Sequence, residues 1–88
     1  MIEETVTVTN KKGIHTRPAA VLVKAAAKFS SDFTIIKDGM EINGKSIIGV
    51  MSLAAEEGAE LKIRVEGEDE KEALDAIKTA FEKGFDEE

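Results

Sequence analysis

The sequence contains one histidine, His15, and no cysteine. Arg17 stands two residues further on, and Pro18 follows it at the head of a stretch of Ala, Val, Leu and Lys that runs to Phe29. A neutral imidazole is nucleophilic near pH 7. A guanidinium pairs well with phosphoryl oxygens, and proline suits the first turn of a helix, where its missing N–H is not needed. His15 then falls at or near a helix N-cap, where free backbone N–H groups and the helix dipole favour a bound anion. A phosphoryl group held on His15 would meet those donors, with Thr16, Arg17 and Pro18 around it. Taken singly, a loop histidine is commonly incidental and an exposed arginine is commonly a solvated charge. Side by side at a helix start, they favour the functional reading.

A second segment with chemical potential is Gly44-Lys45-Ser46, which precedes the apolar run from Ile47 to Leu53. Serine is a preferred N-cap, so Ser46 has a purely structural reading. The run after it predicts a brief helix that cannot bury every face. Val50 and Leu53 are expected in the core, and Ile47, Ile48 and Met51 form a candidate exposed ridge.

The elements that must position these groups follow from periodicity. Glu3 to Thr9 alternates, with Val6 and Val8 on one face and Thr5, Thr7 and Thr9 on the other, which predicts a half-buried strand. Asn10-Lys11-Lys12-Gly13 reads as a turn, and Thr16 to Phe29 as a helix with Leu22, Ala26 and Phe29 on one face. Phe33 to Lys37, the Asp38-Gly39 turn and Met40-Glu41-Ile42 read as a hairpin. After Gly58, alternation of Leu61, Ile63 and Val65 with Lys62, Arg64 and Glu66 predicts another strand, closed by Gly67. Asp69 with Glu72 resembles a capping box, and Ala73, Ile77, Ala80 and Phe81 have helical spacing, with Gly84 as a C-cap. The tail Asp86-Glu87-Glu88 is expected to be solvated. The order β-α-β-β-α-β-α, with every strand alternating, predicts an α+β open-faced sandwich: a four-stranded antiparallel sheet covered on one face by three helices.

Composition narrows the function classes. The 88 residues predict one domain spanning 1–88 without a deep interdomain cleft. Absence of cysteine excludes disulfides, a lone histidine excludes histidine-rich metal sites, and no cofactor is expected. No basic-then-apolar leader or membrane-length apolar run is visible, which predicts a cytoplasmic protein without membrane insertion. A net charge of −6 argues against nucleic-acid binding. The charge is uneven: residues 1–45 carry 7 basic and 5 acidic side chains, and residues 46–88 carry 5 and 13. An anion site therefore belongs in the first half.

Gly13-Ile14-His15-Thr16-Arg17-Pro18-Ala19 resembles the phosphorylation-site signature of the HPr family of histidine-containing phosphocarriers. Gly44 to Leu53 is similar to that family's regulatory-serine segment, and the spacing of the two motifs and the total length agree, so the resemblance covers essentially the whole chain. It implies a phosphoryl carrier, not an enzyme with turnover, in the phosphoenolpyruvate-dependent sugar phosphotransferase system. Such a carrier accepts phosphate from enzyme I on the Nδ1 atom of His15, the pros position, with Arg17 stabilising the phosphoryl group, and donates it to enzyme IIA domains. The resemblance further implies regulatory phosphorylation of Ser46 by a serine kinase/phosphorylase that signals carbon status to a transcription factor. It implies a partner surface comprising Thr16, Pro18, Lys24, Lys45, Ile47, Ile48 and Met51; a monomer is the natural default for a carrier that shuttles between partners. Gly49 and Ala27 stand where the enteric branch has basic residues, which points to the partner preference of the other branch. His15 separates the chain from the family's paralogues that lack the acceptor.

Several readings from other classes remain beside it. A regulatory adaptor would bind a transcription factor through Ser46 and the Ile47/Ile48/Met51 ridge, and a carrier could equally serve a nitrogen-linked phosphotransfer chain. A small acyl-phosphate hydrolase would share the size and the labile substrate. An RNA-binding module is disfavoured by the acidity and the absence of Tyr and Trp.

Overall fold

Alternating Val and Thr residues open the chain as β1 (Ile2–Thr7), and the Ala-rich stretch after Pro18 forms α1 (Thr16–Ala27). The hairpin of β2 (Asp32–Lys37) and β3 (Met40–Asn43) turns at Asp38 and Gly39, both with positive φ. There follow α2 (Ile47–Met51), β4 (Glu60–Glu66), α3 (Glu70–Glu82) and a short 3₁₀ turn at Gly84–Asp86. The computed structural model describes residues 1–86, so Glu87 and Glu88 of the expected solvated tail lie outside the described residues. The strands form one antiparallel sheet in the order β1-β4-β2-β3.

Register explains the alternation read from the sequence. Glu4, Ile63, Ile35 and Ile42 lie in one row across the four strands, and Ile2, Val65 and Phe33 lie in another. These rows share the face that carries the helices, where Phe33, Ile35, Ile63 and Val65 join Leu22, Ala26, Val50, Ile77 and Phe81 in the core. Glu4 points the same way and is met by Lys78 of α3 at 3.0 Å. On the opposite face Arg64 reaches Glu3 at 2.8 Å and Glu41 at 3.4 Å. That contact holds the Glu3 carboxyl below its usual pKa range, chiefly through the hydrogen bond from Arg64.

Several boundaries differ from the sequence reading. The β1 ladder stops at Thr7 because its partner begins at Glu60, opposite it. Val8 instead bonds the following turn, donating to the Ala59 carbonyl at 2.9 Å and accepting from Gly58 N at 2.8 Å. Helix α1 ends at Ala27, and Phe29 lies in a tightened turn whose N–H donates to the Ala26 carbonyl at 3.1 Å. Helix α2 ends at Met51, before the buried Leu53.

The capping box expected at Asp69 and Glu72 does not form. Asp69 is the N-cap residue, but its backbone at φ −103 and ψ 29 is not extended, and its side chain makes no cap bond. It accepts instead from Ser30 and Ser31. The neighbouring Glu70 accepts from Gly67 N at 3.1 Å. At the other end, Gly84 takes the left-handed conformation expected after a helix, as does Phe85, which is buried and meets Phe81 edge to face at 4.9 Å.

Candidate functional site

The turn before His15 is shaped by contacts to a distant loop. Asn10 and Gly13 are joined twice: Gly13 N donates to the Asn10 carbonyl at 3.1 Å, and Asn10 Nδ2 donates to the Gly13 carbonyl at 2.6 Å. Gly13 adopts φ +70, and any β-carbon there would collide with the Ala55 carbonyl oxygen. Ile14, itself buried, then donates from its N–H to that carbonyl at 2.9 Å. The next residue is His15. It is the N-cap of α1, half-buried, with extended backbone, and its carbonyl accepts from Ala19 N at 3.0 Å.

That bond is the first of the α1 ladder. The amides of Thr16 and Arg17 therefore have no carbonyl one turn earlier to bond, and Pro18 has no N–H to lose. Thr16 and Arg17 are exposed, Pro18 is buried, and no acidic side chain occupies the first turn. A histidine thus stands at the positive end of a helix dipole, ahead of amides that lack an intrahelical partner and of an exposed arginine, a setting that can receive a phosphate dianion.

The serine segment is built separately. Ser46 is the N-cap of α2, and its Oγ accepts from Gly49 N at 3.1 Å, so the structural role read from the sequence is filled. Val50 and Leu53 are buried, whereas Ile47, Ile48 and Met51 are 42%, 83% and 41% exposed, as expected of the ridge. Lys24 is an exposed cation in the last turn of α1. Lys45 differs from a freely presented cation: its ammonium donates to the Phe29 carbonyl at 2.8 Å and so closes the end of α1.

These contacts also fix what the site does not bring together. Helices α1 and α2 pack against each other, but Lys45 ties the Ser46 segment to the C-terminal end of α1, while His15 begins that helix. The 12 residues of α1 span on the order of 17 Å, about twice the physiological Debye length. Ala55 and the Phe29 carbonyl were not legible as site residues, since each is reached by a residue far along the chain, and Asn10 was legible only as part of the turn, not as its side-chain clasp.

The fold and the site together define a class: a small open-faced sandwich that offers a helix-capping histidine on one helix and an exposed apolar ridge on another. A family model described as the PTS HPr component phosphorylation site matches residues 2–83. The chain is 48% identical over 88 residues to the phosphocarrier protein HPr of Treponema pallidum, covering 100% of both. A crystal structure of HPr from Thermoanaerobacter tengcongensis superposes with a TM-score of 0.95 at 45% identity, covering 100% of this chain and 99% of that one. The solution structure of Crh, the Bacillus subtilis catabolite repression HPr, aligns with a TM-score of 0.66 at 42% identity over 91% of this chain and 95% of that one. The chain belongs to the HPr family of phosphotransferase-system phosphocarriers. Among the described residues, no helix is long and apolar enough to cross a membrane.

Proposed function

We propose that this protein carries a phosphoryl group on His15, taking it from enzyme I and passing it to enzyme IIA domains in a sugar-uptake chain. The observation that supports this most is the placement of His15 as the N-cap of α1, with Thr16 and Arg17 exposed in the first turn after it. In the transfer, the Nδ1 lone pair of His15 attacks phosphorus in line as the bond from phosphorus to the donor nitrogen breaks, and that nitrogen keeps the electron pair. Arg17 and the helix start neutralise charge on the phosphoryl oxygens. The half-buried site then releases the group to the next acceptor by the same step reversed. Thr16, Pro18, Lys24, Lys45, Ile47, Ile48 and Met51 form the partner-facing surface of a cytoplasmic monomer.

Ser46 is the regulatory site, modified by a serine kinase/phosphorylase and read by a carbon-regulatory transcription factor. A phosphate there would add roughly −1.5 to −2 charges beside the ridge. At the far end of α1 from His15, that charge acts by repelling an acidic partner that covers both ends, not by direct contact with the phosphohistidine.

The test is phosphorylation with phosphoenolpyruvate, magnesium and enzyme I, read by intact mass at neutral and acid pH. One acid-labile phosphoryl group on wild type and none on His15→Ala is expected. No modification beside an active control carrier would overturn the reading. The resemblance to Crh favours a second one in that event, an adaptor acting through Ser46 and the ridge.

A further inference from the structure

Among the described residues only two polar side chains are buried in the core of the molecule, Asn10 at 4% exposure and Ser31 at 2%. Ser31 serves the junction of α1, β2 and α3. Asn10 has a different address. Its side-chain amide donates to the Gly13 carbonyl at 2.6 Å while its own carbonyl accepts from Gly13 N at 3.1 Å, so the four-residue turn before the histidine is clasped by both main chain and side chain. Burying an amide costs free energy unless it is bonded, and a turn needs only the main-chain bond to close.

The surroundings keep Asn10 in place. The chain on its N-terminal side is fastened by Thr9 Oγ1, which donates to the Phe81 carbonyl at 3.1 Å. Gly84 passes so close that a β-carbon there would lie 3.5 Å from the Asn10 Cβ. On the C-terminal side, Gly13 is fitted against Ala55, and Ile14 N bonds the Ala55 carbonyl at 2.9 Å. The backbone entering His15 is thus held between Asn10 on one side and Ala55 on the other. Losing the side-chain clasp would free the Gly13 carbonyl and let the Gly13–Ile14 peptide rotate, which turns the residue that follows.

We infer that Asn10 is a positioning residue for phosphoryl transfer: through the Gly13 carbonyl it sets the direction in which His15 presents its ring. This rests on the carrier reading. Because the apolar ridge lies on α2, removing the clasp should leave docking on the ridge intact and act chiefly on the transfer step.

The experiment compares wild type, Asn10→Ala and Asn10→Ser as full chains, with enzyme I as phosphoryl donor, at a temperature where each is folded by circular dichroism. Asn10→Ala is expected to lower kcat about tenfold with KM within about twofold, since misplacement of a reacting group by about 1 Å can cost up to a hundredfold. Asn10→Ser, which keeps a donor of shorter reach, should recover part of the loss. A lower melting temperature with kcat unchanged would reduce Asn10 to a purely structural residue and overturn the inference. If Asn10→Ala does not fold, Asn10→Ser carries the test, with a reduced kcat supporting the inference and a wild-type kcat overturning it. Failure of enzyme I to phosphorylate wild type would instead overturn the carrier reading, and this inference with it.

Discussion

Asp69, at the head of α3, is bound to Ser31, in the turn between α1 and β2, by two hydrogen bonds to a single carboxylate oxygen. Asp69 Oδ1 accepts from Ser31 N at 3.0 Å and from Ser31 Oγ, while Oδ2 accepts from Ser30 N at 2.9 Å. The bond from the Ser31 side chain leads the causes that hold the Asp69 carboxyl below its usual range, followed by the Ser30 amide. Three donors bond the ionised form, and protonation would weaken all of them.

The sign of the pH effect follows. A carboxyl whose folded pKa lies below its unfolded value stabilises the fold above the unfolded value, near 4, and that contribution fades as pH falls through the folded pKa. Melting temperatures of wild type between pH 7 and pH 2 should fall steeply below about pH 4, in the carboxylate range. Asp69→Asn should melt lower at pH 7 and show a shallower fall. Parallel curves for the two proteins would show that this carboxylate contributes nothing to acid sensitivity.

Gly13 and Gly39 both have positive φ, but only Gly13 is crowded. Gly39→Ala should cost about 1 kcal/mol, the price of a left-handed conformation at a non-glycine residue. Gly13→Ala adds a collision with the Ala55 carbonyl and should cost on the order of 3 kcal/mol. Urea unfolding of the two variants separates the terms, and equal losses would contradict the close approach of the two loops.

Ile48 is 83% exposed and, among the described residues, is not one of those packed against the core, so Ile48→Glu should leave the melting temperature within about a degree, as surface changes usually do. Its effect should appear in partner affinity, as a rise in KM for enzyme I of about tenfold. A normal KM would remove Ile48 from the partner surface.

Ser46→Ala removes the bond to Gly49 N and should destabilise the fold by about 1 kcal/mol. Ser46→Asp keeps an acceptor at the N-cap and should be nearly as stable as wild type, while weakening transfer from enzyme I by its added charge. If Ser46→Asp transfers as well as wild type, the position carries no regulatory charge effect.

Phe85 is buried at φ +58, against Phe81. Phe85→Ala should cost about 3 kcal/mol or more, measurable by chemical denaturation. A loss below about 1 kcal/mol would mean that the last turn adds little to the core.

Local pattern carried most of the fold. Alternation at Leu61, Ile63 and Val65 marked the central β4, and the same alternation marked Val6 and Val8; the hairpin was legible from Asp38-Gly39, the cap at His15 from Pro18 in the first turn, and the cap at Ser46 from residue type. What was not legible depended on partners far along the chain. Asp69 looks like an N-cap in its own window, and only Ser30 and Ser31, 39 and 38 residues away, turn its carboxylate elsewhere. Lys45 reads as a free cation until the Phe29 carbonyl is beside it. Phe85 breaks the ordinary expectation that left-handed positions go to glycine, since the gain from burying its ring against Phe81 outweighs the backbone cost.

The sheet order bears on how the chain matures as it is made. The β2–β3 hairpin is complete within 12 residues and can form as soon as it emerges, whereas β1, at residues 2–7, pairs among the described residues with β4 alone, at residues 60–66. The histidine turn waits as well, because the Ala55 carbonyl that fixes it lies on the approach to that strand. Strand β1 therefore emerges unpaired and alternating and stays so until β4 has been made, the kind of segment most open to wrong pairing. The turn that leads into His15 acquires its shape no earlier than the segment that carries Ala55.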